Sequence, residues 1–103
     1  MTTNLEPQFT EKMREVYERA RAECQYTATR FLQMVSEHGG LATAQMLLSS
    51  KTHPEGLTRL WEKGRLDISM EALMLQSPWS SLFSDQELTT ARKRLRDLGY
   101  IAI

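Results

Sequence analysis

The residues best suited to chemistry gather in one stretch, residues 56–76, GLTRLWEKGRLDISMEALMLQ. It sets Trp61 among Arg59, Glu62, Arg65, Asp67 and Glu71. Carboxylates near one another are the raw material of general acid–base catalysis, but only when they converge on one point. Here Gly64 and Ser69 divide Glu62, Asp67 and Glu71 among separate elements, so no catalytic pair is expected. Trp61 lies one turn after Leu57 and next to Leu60, which predicts an aromatic plug in the core. Arg59, Glu62 and Lys63 then face solvent, and Asp67 either pairs with Arg65 or holds a first-turn amide. The competing expectation is a groove in which Trp61, Arg65 and Asp67 receive a partner, since Trp and Arg anchors dominate binding surfaces.

The remaining reactive groups are sparse. Cys24 is the single cysteine, which excludes an internal disulfide and a cysteine-based metal site, and it falls on an apolar stripe as a small hydrophobe. His38 and His53 have no further ligands at zinc spacing, so no metal is expected. The glycines of HGGLATA precede a helix but lack the Lys-Ser/Thr of a phosphate loop. No catalytic residue and no cofactor is therefore expected, and the chain reads as a non-enzyme.

The elements that must position these groups read as helices almost throughout. Phe9, Met13, Val16, Tyr17, Ala20 and Cys24 recur every three or four residues, as a helix with one buried stripe requires. A second stripe, Ala28, Phe31, Leu32 and Val35, follows a break or kink near residues 25–27. Gly39-Gly40 ends it through a left-handed cap, and a third helix over about 41–49 buries Leu41, Ala44, Leu47 and Leu48. Thr52 and Glu55 have capping-box spacing with Pro54 at a first turn, opening a helix over about 54–63 that Gly64 closes. Ser69 is an N-cap, with Ile68 and Leu73 at staple spacing, and Pro78 ends that helix. Ser84 and Glu87 form a capping box inside a Phe83/Leu88 staple, and Leu88, Ala91, Leu95 and Leu98 mark the last buried face before Gly99. The only strand expected is a stub at residues 100–103. The fold class is all-α: one domain over residues 1–103, a compact orthogonal bundle of about six short helices, with residues 1–8 a flexible segment.

Thirteen basic residues balance thirteen acidic ones, so no global field draws the chain to nucleic acid or anionic lipid. No secretory signal and no apolar run of membrane length is read, so a cytoplasmic location without membrane contact is expected. Charge preference is local, in the tail ELTTARKRLRDLGYIAI, where Arg92, Lys93 and Arg96 edge the leucine stripe. This segment resembles the recognition helix and turn of a winged-helix DNA-binding domain. Two departures weaken the likeness: three residues after Tyr100 leave no wing, and QSPWSSLFS does not read as the preceding helix.

From Tyr26 onward a series of blocks stands in order: YTATRFLQMVSEHGG, AQMLL, GLTRLWEKGRLDISMEALMLQ, the lone Trp79, LFSDQEL, ARKRL and GY. They resemble a small domain recurrent in bacterial proteins of uncharacterised function, and the likeness spans residues 26–100. It implies an all-helical bacterial domain centred on Trp61, Arg65, Leu66 and Asp67, without an activity. The expectation is a protein–protein interaction or regulatory accessory module, monomeric or homodimeric, whose partner is another protein. Its contact residues would be Trp61, Arg65, Asp67, Met70, Met74 and Trp79, with some of Met34, Met70, Met74 and Trp79 exposed as one contiguous patch. The alternative is a small DNA-binding protein using the basic helix 85–98 through Arg92, Lys93 and Arg96.

Overall fold

Gly64 and Gly99 close two helices by one device, and both positions were marked by sequence. Each has positive φ, +70° and +85°, and each sits between the paired bonds of a Schellman turn. At Gly64 the bonds are Gly64 N–H to Trp61 C=O and Arg65 N–H to Leu60 C=O; at Gly99 they are Gly99 N–H to Arg96 C=O and Tyr100 N–H to Leu95 C=O. A Cβ on either residue would strain this backbone, which is why glycine ends both helices.

The computed structural model describes residues 4–50 and 55–100. They form six α-helices: α1 Leu5–Cys24, α2 Thr29–His38, α3 Gly40–Leu48, α4 Glu55–Glu62, α5 Met70–Met74 and α6 Asp85–Asp97. Two 3₁₀ turns, Leu66–Ile68 and Trp79–Leu82, flank α5. There is no strand among the described residues. Thr52 of the expected capping box, Pro54, His53 and residues 101–103 of the expected stub lie outside them, and Tyr100, where the stub would begin, is not in a strand. Helix α1 already begins at Leu5, so residues 5–8, expected to be flexible, are helical. The radius of gyration, 12.7 Å, is that of one close-packed domain of this length.

The start signals work as their spacing predicts. Ser84 Oγ accepts from Glu87 N–H at 3.1 Å while Glu87 Oε1 accepts from Ser84 N–H at 2.9 Å. Ser69 Oγ accepts from Ala72 N–H at 3.1 Å. The break after α1 is real: Cys24 ends the helix and Gln25 takes a left-handed φ of 56°. Gly39 is not a left-handed helical cap, because its ψ of 163° is extended. The pair of glycines instead serves a crossing of helices. A Cβ on Gly40 would lie 2.8 Å from Thr10 Cα, and Gly40 N–H donates to Thr10 Oγ1 at 2.8 Å. The side chain of Thr10 thus satisfies a free amide at the start of α3.

Two linked cores form along α1. Phe9 and Met13 meet Val35, Ala44, Met74, Trp79 and Phe83 in the first, where the Phe9 ring stands edge-on to Phe83 at 5.5 Å. Ala20 and Cys24 meet Leu57, Leu60, Leu66, Ile68 and Leu95 in the second. A twenty-residue helix spans about 30 Å, long enough to serve both. No helix among the described residues is long and apolar enough to cross a membrane.

Candidate functional site

The stretch around Trp61 resolves into a helix, a corner and a helix. Helix α4 turns Leu57 and Leu60 inward, at 3% and 4% exposure, and leaves Trp61 47% exposed. The expected aromatic plug is therefore not formed. Leu57 and Leu60 set the inward direction, and Trp61 falls at the edge of that face, where it is only half covered. Spacing identifies a side of a helix, but the partner elements decide how wide the covered side is.

At the corner, Arg65 holds Asp67 through two bonds of 3.1 and 3.2 Å and reaches Glu23 at 2.7 Å. Glu23 also pairs with Arg19 at 3.0 Å. The network ties the corner to the end of α1. Hydrogen bonds from Arg19 and Arg65 hold the Glu23 carboxyl below its ordinary value. Arg65 does the same to Asp67, and the two carboxylates raise the Arg65 guanidinium further. This is the Arg65/Asp67 pairing expected, acting as a clamp on a turn.

The concave feature lies elsewhere. A half-open groove of about 490 Å³ runs between α1, α2, α3 and α4, with Met70 and Glu71 of α5 contributing to its lining. Its walls are apolar and adaptable: Tyr17, Tyr26 and Phe31 supply aromatic surface and Met34 and Met46 thioethers. Arg59 stands over the Tyr26 ring at 5.6 Å and pairs with Glu55 at 3.8 Å. The Tyr26 hydroxyl is pushed above its ordinary pKa, first by burial, then by Glu55, with Arg59 opposing. Arg30, also in the lining, is exposed.

In the wall of this groove lies a buried ion pair, the one among the described residues with both side chains under 10% exposed. Glu71 Oε2 accepts from Arg94 Nη1 at 3.3 Å, with the two side chains 3% and 9% exposed. Arg94 Nη2 also donates to the carbonyls of Leu47, Leu48 and Ser50, at 3.0, 3.2 and 2.9 Å. A guanidinium from α6 therefore caps the carbonyl end of α3 while neutralising a carboxylate on α5. Sequence reasoning passed over Arg94. The signal was its position three residues after Ala91 and four before Leu98, inside the apolar stripe.

The predicted contact residues scatter. Met70, Met74 and Trp79 are buried, at 4%, 0% and 8% exposure. The expected patch with Met34 is thus absent; these side chains were needed to fill the core, and only Met34 is partly open, in the groove. Trp61, Arg65 and Asp67 lie outside the groove lining. Arg92, Lys93 and Arg96 are all exposed, and Lys93 is tied to Asp97 at 2.9 Å. Cys24 is buried in the second core, as its stripe predicts. His38 is exposed at the end of α2, and no group of three or more potential metal ligands exists among the described residues.

Comparison with known proteins finds no counterpart: no family model fits the chain, and no curated protein or solved structure is similar to it.

Proposed function

We propose that this chain is a non-catalytic cytoplasmic interaction or accessory module that receives a segment of another protein in the groove between α1, α2, α3 and α4. The observation that carries the reading is the lining itself, apolar and rich in aromatic and methionine side chains. Such surfaces repack around a partner segment and gain by excluding water. The polar groups there do not converge for chemistry: Glu71 is held by Arg94 and Glu55 by Arg59.

Capture with the tagged full chain tests this, using Met46→Glu as the control. Met46 is 45% exposed in the groove, so a carboxylate there leaves the core intact and makes the groove polar. Proteins retained by the wild type and lost on Met46→Glu support the reading. Retention indifferent to Met46→Glu contradicts it.

The second reading, DNA binding by α6, is favoured by one observation. Arg92 and Arg96 are exposed one helical turn apart, and phosphate contacts need no more elaborate geometry. Duplex binding that weakens with salt and disappears in the Arg92→Ala/Arg96→Ala variant would favour it. No shift of any duplex at low salt would dismiss it.

A further inference from the structure

We infer that the groove is selective for an amphipathic helix with an acidic residue beside its apolar anchors, and that Arg30 is the residue that reads this charge. The inference rests on the interface reading above and adds the chemistry of the partner.

Three observations narrow the occupant. The walls are helices, and the described residues contain no sheet edge, so strand addition is not available. A groove of about 490 Å³ accepts a few large side chains, which matches the anchors spaced i, i+3/i+4 and i+7 of a helix laid in a groove. Among the described residues, a second copy of this chain offers no such row of anchors. Its large exposed apolar side chains, among the described residues, are Met46 and Trp61, and Met46 already belongs to the groove.

Charge selection comes from Arg30. It sits in the first turn of α2, a turn with no acidic residue and no side-chain cap. A cation there meets the positive end of the helix dipole, which opposes rather than aids the fold. No carboxylate among the described residues pairs with it, whereas Glu55, in the lining on α4, is already held by Arg59. Arg30 is thus a cation that the fold does not use, placed in the lining of an apolar groove. A carboxylate on the incoming helix completes it, and a lysine at that place is repelled.

The experiment is selection of a randomised helical-peptide display library on the full chain, with Met46→Glu as counter-selection and thermal melting to verify each variant's fold. The expected result is a set of groove-dependent peptides carrying Asp or Glu at one fixed offset from the anchors. Arg30→Glu, which suits the first turn of a helix, should weaken them about tenfold, and a Lys at the acidic position should restore binding to that variant. Groove-dependent peptides with no acidic preference, unaffected by Arg30→Glu, overturn the inference while sparing the interface reading. Failure to select any peptide sensitive to Met46→Glu overturns both. Saturable binding of decanoate in place of every peptide assigns the groove to a small amphiphile and also overturns the inference.

Discussion

Arg94 and Arg65 each carry a guanidinium from one element to carboxylates on another, yet one is enclosed and the other is wet. Arg94 faces Glu71 and three backbone carbonyls with almost no solvent. Arg65 faces Asp67 and Glu23 at a corner where all three side chains remain a third or more open. The bond lengths do not rank the two sites; the surface contact of 2.7 Å is shorter than the buried one of 3.3 Å. What differs is the medium. In the interior a charge that loses its partner stays desolvated, while at the surface water replaces the partner at little cost.

The largest effect should therefore come from Arg94→Met. It takes the Arg94 guanidinium away from the buried Glu71 carboxylate and frees carbonyls at the end of α3, a loss of about 3–5 kcal/mol. Against the roughly 5–15 kcal/mol that holds a typical domain, this is a large share. Denaturant titration measures it, and a loss below about 1 kcal/mol would place Arg94 with the surface arginines. Glu71→Leu/Arg94→Met should recover part of the loss, because neither charge then remains. Recovery should be incomplete, since methionine offers nothing to the carbonyls of Leu47, Leu48 and Ser50.

Thr43 sharpens the same point with one neutral group. Its Oγ1 is buried with no hydrogen-bond partner among the described residues, and the residue is fully covered. Arg94 is tolerated inside because its bonds are made; the Thr43 hydroxyl is not so compensated. Thr43→Val keeps the shape and removes the unpaired group, and should raise stability by about 1 kcal/mol in the same titration. A loss of that size would show that the hydroxyl is bonded in solution.

The same contrast explains what the sequence made legible. Local devices were readable because their geometry is closed within a few residues: the Ser84/Glu87 box, the Ser69 cap, the turns at Gly64 and Gly99, and the break after Cys24. The all-helical fold followed from them and from apolar spacing. Trp61 and Arg94 were misread or missed for one reason, that burial is granted by distant segments. Trp61 sits beside an apolar stripe and is left outside; Arg94 sits within one and is taken inside. The groove is less legible still. It joins side chains from α1 through α5, and the wide apolar side of α2, with Phe31 and Met34, was its sole local sign.

The smallest effect, and the one that most directly separates the two arginines, belongs to the corner. Glu23 and Asp67 have folded pKa values below their ordinary 4.5 and 3.8. The unfolded chain therefore binds protons first as pH falls. The network's stabilisation is complete above those ordinary values and drains away as acid carries the pH down through the folded ones. Arg65→Met should flatten this acid-side loss relative to wild type, chiefly through Asp67, while Arg19 continues to hold Glu23. Removing both arginines should flatten it further. At neutral pH the change in midpoint on Arg65→Met should be small beside that of Arg94→Met, and 1 M salt should shrink it again, because screening then acts within about 3 Å. The Arg94→Met loss should persist in the same salt, since ions do not reach the pair. Equal salt sensitivity at the two sites would mean that solvent enters the Glu71 site, and the distinction between enclosed and wet arginine would fall.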